Sequence, residues 1–359
     1  MSMPPQQRPP GWQQGPWPPQ PPPPLPDFAP DKKNTVKWLL IVVAVLLVIG
    51  LSIGATLFFT RDSGGGGGTT SSSAAPSDIG SADDTGPVAI ITQEPTCQTF
   101  LGINGGLADV QKRGWAAQRE TLGPAAEWTP DQRSQVQAVA TALRNAAEQS
   151  VALAKQTPHR VIRELYEQFI AYSRAYADSV PTYVPANNGF ASASVNASSA
   201  IVGVCNAISS GSANRSLAVE PAGPPSEVSN SADLPNPSRF IQSSSPPCDA
   251  WRQRLERLTK DAAAWQGLDG NIPASEWSPE RRTIEENVRP LLQAYADDIE
   301  KAGRDNGNPM FEDFAVSAAL YIRGYVAAGD DYTPADSWLT FVGFNYANLI
   351  SAACRAAAG

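Results

Sequence analysis

Histidine is almost missing from this chain: His159 stands alone among 359 residues, beside four cysteines and three methionines. An imidazole-based catalytic metal centre therefore lacks ligands, and no cofactor is expected. Charge is sparse as well, at 17% of residues, and the positive sign is the scarcer, with 27 Lys and Arg against 35 Asp and Glu. A net charge of −8 leaves no basic stripe of the kind nucleic-acid binding requires, which excludes that partner. No GxSxG elbow or phosphate-binding loop is present, and the glycine run from Gly64 to Gly68 lies in low-complexity sequence that reads as a tether. His159 follows Pro158 at an expected helix start and reads as a surface residue. The first 96 residues contain no cysteine.

What is present divides the chain into segments. Residues 1–37 form a proline-rich tail, with Trp12 and Trp17 set among the prolines. It is expected to be disordered with polyproline II character, and it can serve as a docking strip for cytoplasmic partners. From Trp38 to Thr60 no residue is charged, and as a helix this run would be roughly 35 Å long, enough to cross a bilayer. Lys32, Lys33 and Lys37 flank its amino end, whereas Arg61 beside Asp62 flanks the other. The positive-inside rule then places the amino terminus in the cytoplasm and everything beyond the span outside the cell membrane. Residues 63–359 carry 22 basic and 32 acidic groups. Residues 61–96 read as a Gly/Ser-rich tether, and residues 206–247 as a Ser/Pro/Asn-rich linker.

The segments on either side of that linker are one unit written twice, residues 97–205 and 248–359. At a constant offset of 149, Glu127, Trp128, Pro130 and Arg133 match Glu276, Trp277, Pro279 and Arg282. Tyr172, Arg174 and Tyr176 match Tyr321, Arg323 and Tyr325; Tyr183, Pro185 and Ala186 match Tyr332, Pro334 and Ala335; Asn196 and Cys205 match Asn345 and Cys354. Cys97 stands opposite Cys248, so each copy opens and closes with a cysteine. Duplication then selects Cys97–Cys205 and Cys248–Cys354 from the three connectivities that four cysteines allow.

The periodicity within each copy is helical. Trp251, Leu255, Leu258, Ala262 and Trp265 lie on one face of a first helix. Its counterpart in the first copy is weakened by Gly102, Gly105 and Gly106. Second helices open at Thr129-Pro130 and Ser278-Pro279, where a hydroxyl cap precedes proline at the first helical position; Pro290 is expected to kink the later one. Third helices start near Pro158 and Pro309, and fourth helices at Pro185 and Pro334. The predicted architecture is all-α: two tandem, disulfide-closed, four-helix-bundle-like repeats.

Candidate ligand, partner or buried-network residues are those kept in both copies: Glu127, Tyr172, Arg174, Tyr176 and Asn196 with Glu276, Tyr321, Arg323, Tyr325 and Asn345. One reading is a buried network pairing Arg174 with Glu127, Arg323 with Glu276, and each asparagine with a tyrosine hydroxyl. The other is a tyrosine-lined groove whose arginine receives an anion. On a helix Arg174 is turned about 200° from Tyr172, so the arginine cannot share the tyrosines' face. No catalytic residue is expected.

The Pro/Gln/Trp-rich tail, Lys32-Lys33 before a single span, the Gly/Ser/Thr tether and the Ala-rich, acidic, cysteine-closed exterior resemble the proline-rich single-pass membrane proteins of mycobacteria and their relatives. The resemblance covers the first 90 residues and implies a cell-envelope location. The function expected is non-enzymatic: the duplicated exterior binds a protein or another envelope ligand. The alternatives are a small-molecule or lipid sensor using the bundle interior and, more remotely, an envelope hydrolase.

Overall fold

A computed structural model describes residues 79–216, 219–229 and 233–358. The expected tail (1–37), span (38–60) and most of the tether lie outside the described residues. Every regular element among the described residues is helical. In the first copy these are α1 (Cys97–Gln111), the short α2 (Trp115–Gln118), α3 (Pro130–Gln156), α4 (Arg160–Ser179) and α5 (Asn188–Ser209), followed by a single turn, α6 (Ser212–Arg215). The second copy repeats the series as α7 (Pro246–Asp261), α8 (Ala263–Gln266), α9 (Pro279–Arg304), α10 (Pro309–Ala328) and α11 (Ser337–Ala358).

Local chemistry sets these boundaries. Thr129 caps α3 by accepting from the Gln132 amide at 3.2 Å, while Gln132 Oε1 accepts from the Thr129 amide at 3.0 Å. These reciprocal bonds satisfy two donors that a helix start leaves free. Ser278 accepts from the Arg281 amide at 3.3 Å to cap α9, which runs on through Pro290 to Arg304. Pro158 ends α3, because the residue before a proline is driven out of helical conformation and Thr157 is extended. Helix α1 forms despite its glycines. A methyl group on Gly105 or Gly106 would meet no other heavy atom within 4 Å. Gly105→Ala with Gly106→Ala should therefore stabilise the protein by about 1 kcal/mol each, read as a rise in thermal midpoint.

In each copy the long helices and the opening helix pack into a four-helix bundle: α1, α3, α4 and α5, then α7, α9, α10 and α11. Disulfides Cys97–Cys205 and Cys248–Cys354, each with a Cα separation of 5.4 Å, tie the opening helix to the closing one. Phe100 on α1 and Trp251 on α7 plug their bundles: Phe100 meets Tyr166 and Phe169 edge-on, and Trp251 meets Phe311 edge-on and donates to the Ala347 carbonyl at 3.0 Å.

The two copies do not stand apart as separate modules. They form one compact unit with a single continuous core, and the most extensive helix pair joins α5 of one copy to α11 of the other. A Cβ on Gly189 would come within 2.8 Å of the Ala356 backbone, and one on Gly203 within 2.7 Å of Val342. Advancing fourteen residues along α5 thus retreats fourteen along α11, so these equivalent helices run antiparallel. That arrangement fits a two-fold relation between the duplicated halves with its axis perpendicular to these helices. The 25-residue helical stretch Pro185–Ser209, which contains α5, is apolar enough to cross a membrane, yet most of it is buried inside this unit.

The described residues of the expected linker and the end of the expected tether pack into the same body. Residues 79–96 form a strap, held where Thr157 donates to Glu94 at 2.6 Å and where the Ile91 amide donates to Tyr321 of the second copy at 3.3 Å. Within 206–247, residues 206–209 complete α5. Further on, Phe240 wedges between Tyr172 of the first copy and Phe314 of the second, with centroids at 6.4 and 5.3 Å. Gln168 and Asn308, one from each copy, hydrogen-bond the Phe240 backbone. The linker is pinned because its apolar side chains complete a core that neither bundle closes alone.

Candidate functional site

The residues kept in both copies are placed in matching positions, but they do not gather into one site. Trp128 donates to the Gly123 carbonyl at 2.8 Å and Trp277 to that of Ile272 at 2.9 Å. Arg133 and Arg282 donate at 2.7 Å to Ala125 and Ala274, whose amides donate to the Tyr183 and Tyr332 carbonyls. The Trp128 and Tyr183 rings are 5.2 Å apart, and those of Trp277 and Tyr332 are 5.5 Å apart. The Glu-Trp-x-Pro and Tyr-x-Pro-Ala motifs are thus the two sides of a corner that locks the start of each long helix. Glu127 and Glu276 point to solvent at that corner.

Their expected pairing with the arginines does not occur. Arg174 pairs with Glu148 at 2.6 Å and donates to the Pro235 carbonyl; Arg323 pairs with Asp297 at 2.7 Å and Glu300 at 2.5 Å. Glu148 and Asp297 are themselves equivalent at the 149-residue offset, so each copy fastens its third helix to its second with the same ion pair. The 200° turn from Tyr172 puts the arginine on the outer face, beyond reach of the corner. Tyr172 and Tyr321 are fully buried. Tyr176 accepts from Trp115 at 2.7 Å, and Tyr325 accepts from Trp265 at 2.8 Å and donates to Glu285 at 2.9 Å. Burial pushes all four phenols above their ordinary range. Asn196 and Asn345 are half-buried and, instead of meeting a tyrosine, donate at 2.7 Å to carbonyls one turn back in their own helices, Ser192 and Phe341. His159 contacts the Gln93 carbonyl at 2.8 Å, and its counterpart Asn308 caps α10 by accepting from Phe311.

Two features of the structure lie outside the shared motifs. The first is a difference between the corners. Ala126, Pro181, Thr182 and Val184 of the first copy stand where the second has Ser275, Asp330, Asp331 and Thr333. In the second copy Arg289 pairs with Asp330 at 2.8 Å, while Arg215 of α6 bonds Thr333 and Asp336 at 2.9 and 2.7 Å. The corner of the first copy holds an open, mainly apolar cleft of about 320 Å³, lined by Pro124, Ala126, Arg133, Pro181, Tyr183 and Val184. Val184 is 46% exposed, one of two large apolar residues left open to solvent among the described residues. The second feature is a buried charged layer between the copies. Arg160, Arg163, Glu164 and Glu167 of α4 and Glu312 and Asp313 of α10 are all at least nine-tenths buried, and Arg160 joins the two helices through Asp313 at 2.7 Å.

The corners, bundles and disulfides define a class: an internally duplicated, disulfide-stapled helical body whose shared motifs are used to build the fold. Residues 79–359 match the family described as mycobacterial ESX-1 associated protein, and the chain belongs to that family. It is 40% identical over 339 residues to an uncharacterized protein of Mycolicibacterium smegmatis (strain MKD8), covering 93% of this chain and 90% of the relative. No solved structure matches.

Proposed function

We propose that this chain is a membrane-anchored, non-enzymatic envelope component that serves ESX-1 secretion by presenting its duplicated helical body outside the membrane to a protein partner. Membership of the ESX-1 associated family supports the secretion-linked setting. The charge-free run 38–60, with lysines on its amino side, supports the anchor and its orientation. The observation that carries the binding role is the divergence of the two corners. One is bridged by Arg215 and Arg289, whereas the other exchanges acidic and polar residues for Pro181, Val184 and Ala126 around Arg133. A concave apolar lining with a single cation suits an extended polypeptide segment that carries an apolar side chain next to a carboxylate.

A photo-crosslinker at Ala126 of the full chain, expressed in its mycobacterial host, tests this. A discrete adduct with one envelope or secretion protein is expected. Val184→Asp should abolish that adduct and reduce ESX-1 export together, with the thermal midpoint unchanged. Export that is unaffected by Val184→Asp would sink the assignment. So would turnover of a cell-wall substrate that is lost on Glu127→Gln plus Glu276→Gln.

A further inference from the structure

Glu164 of α4 and Asp313 of α10 are equivalent at the 149-residue offset, lie on opposite copies, and are both fully buried. They lie close enough for each carboxylate to feel the charge of the other, and Arg160, one turn before Glu164 on α4, grips Asp313 directly. Asp313 accepts from Arg160 Nε at 2.7 Å and Nη2 at 3.1 Å. Glu164 Oε1 accepts from Ser229 of the linker, while Oε2 meets no donor among the described residues. A buried carboxylate oxygen without a donor is costly. A proton shared by the Glu164 and Asp313 carboxyl groups would relieve both the unpartnered oxygen and the repulsion between the two acids.

The surrounding charges favour that proton. Arg160 also approaches Asp84 of the strap at 3.7 Å. Arg163 lies 3.2 Å from Glu167 and 3.9 Å from Glu164, with Ser81 of the strap at 3.0 Å. Glu312 is matched by Arg304 of α9 at 3.1 Å, and α11 contributes the buried phenol of Tyr346, a neutral group. Arg160 and Arg163 therefore already face three carboxylates, Asp84, Glu167 and Asp313. An ionised Glu164 would be a fourth.

We propose that Glu164 and Asp313 hold one proton between them as a pH-sensitive clasp joining the two copies, and that its release at alkaline pH loosens the junction of α4 with α10. Burial first, and then the Asp313 charge, hold the Glu164 carboxyl well above the usual glutamate range; burial likewise raises Asp313, against the pull of Arg160. An acid whose folded pKa exceeds its unfolded value contributes stability that is complete below the unfolded pKa, about 4.3, and is lost as pH rises through the folded one.

The test is the thermal midpoint of the full chain between pH 5.5 and 8.5, wild type against Glu164→Gln. The amide keeps a donor toward Asp313 and an acceptor for Ser229. The wild-type folding constant should fall by up to about tenfold per pH unit more steeply than that of the variant. Hydrogen exchange of residues 160–170 and 309–319, corrected for intrinsic rates, should rise with pH in the wild type alone. Equal pH slopes for the two proteins would overturn the clasp. Should Glu164→Gln fail to fold, the infrared band of a protonated carboxylic acid in the wild type at pH 7 decides: its presence supports the clasp, and its absence refutes it.

Discussion

Arg160→Met should destabilise the protein by about 3 to 5 kcal/mol, because it strands a buried carboxylate. Arg160 is 1% exposed. Its guanidinium donates to both Asp313 oxygens, to the Asp84 carbonyl at 2.6 Å and to the Gly86 carbonyl at 3.1 Å. One side chain of the first copy thus holds the second copy and the strap together. Methionine replaces much of the aliphatic stem and none of the donors. Arg160→Lys should fall between, since an ammonium cannot reproduce the fork that grips a carboxylate bidentately. Asp313→Asn added to Arg160→Met should recover part of the loss, because it removes the stranded charge. Urea unfolding of the full chain followed by circular dichroism measures all three, and a loss below about 1 kcal/mol for Arg160→Met would contradict the buried ion pair.

The disulfides should give the other large effect. Cys97–Cys205 and Cys248–Cys354 close loops of 108 and 106 residues, for which the chain-entropy model gives about 4 to 5 kcal/mol each. Replacing one pair by alanines should lower the thermal midpoint by roughly 8 to 15 °C, at about 2 to 3 °C per kcal/mol for a body of this size. The copies share one core. Each mutant should therefore melt in a single transition, and two separated transitions would mean that the copies fold independently. Non-reducing peptide mapping should recover only the two intra-copy bridges.

Much of the architecture was legible in the chain. Apolar spacing, Thr129-Pro130 and Ser278-Pro279 starts, and the 149-residue repeat are local or self-comparing signals, so the helices, their caps and the pairing of cysteines followed from them. The corner motif was legible as a helix start, but its second side was not: the contact of Trp128 with Tyr183 joins residues 55 apart through packing alone. Arg174 was singled out correctly as a shared residue and given the wrong partner. Glu148 and Asp297 share a type of charge but not an identity, so identity between the copies does not mark them.

The buried layer was hidden for a different reason. In α4 every residue from Arg160 to Ser173 is buried, so the polar side of the helix faces the strap, the linker and the other copy and not water. An amphipathic stripe has the same period whichever medium lies beyond it, so the spacing of Arg160, Arg163, Glu164 and Glu167 carries no sign that they are buried. The matched acids Glu164 and Asp313 were a usable trace, visible only once the offset was applied to residue class.

Read alone, the sequence determined the helical class, the duplication, the capped helix starts and which cysteines bond, because each depends on residues close in the chain or on likeness between copies. Tertiary structure decided that the copies fuse into one body, that the strap and linker are built into it, that one corner stays open at Val184, and that two acids meet in its interior. Those outcomes depend on which surfaces come together, and burial of a polar face leaves no mark in local periodicity.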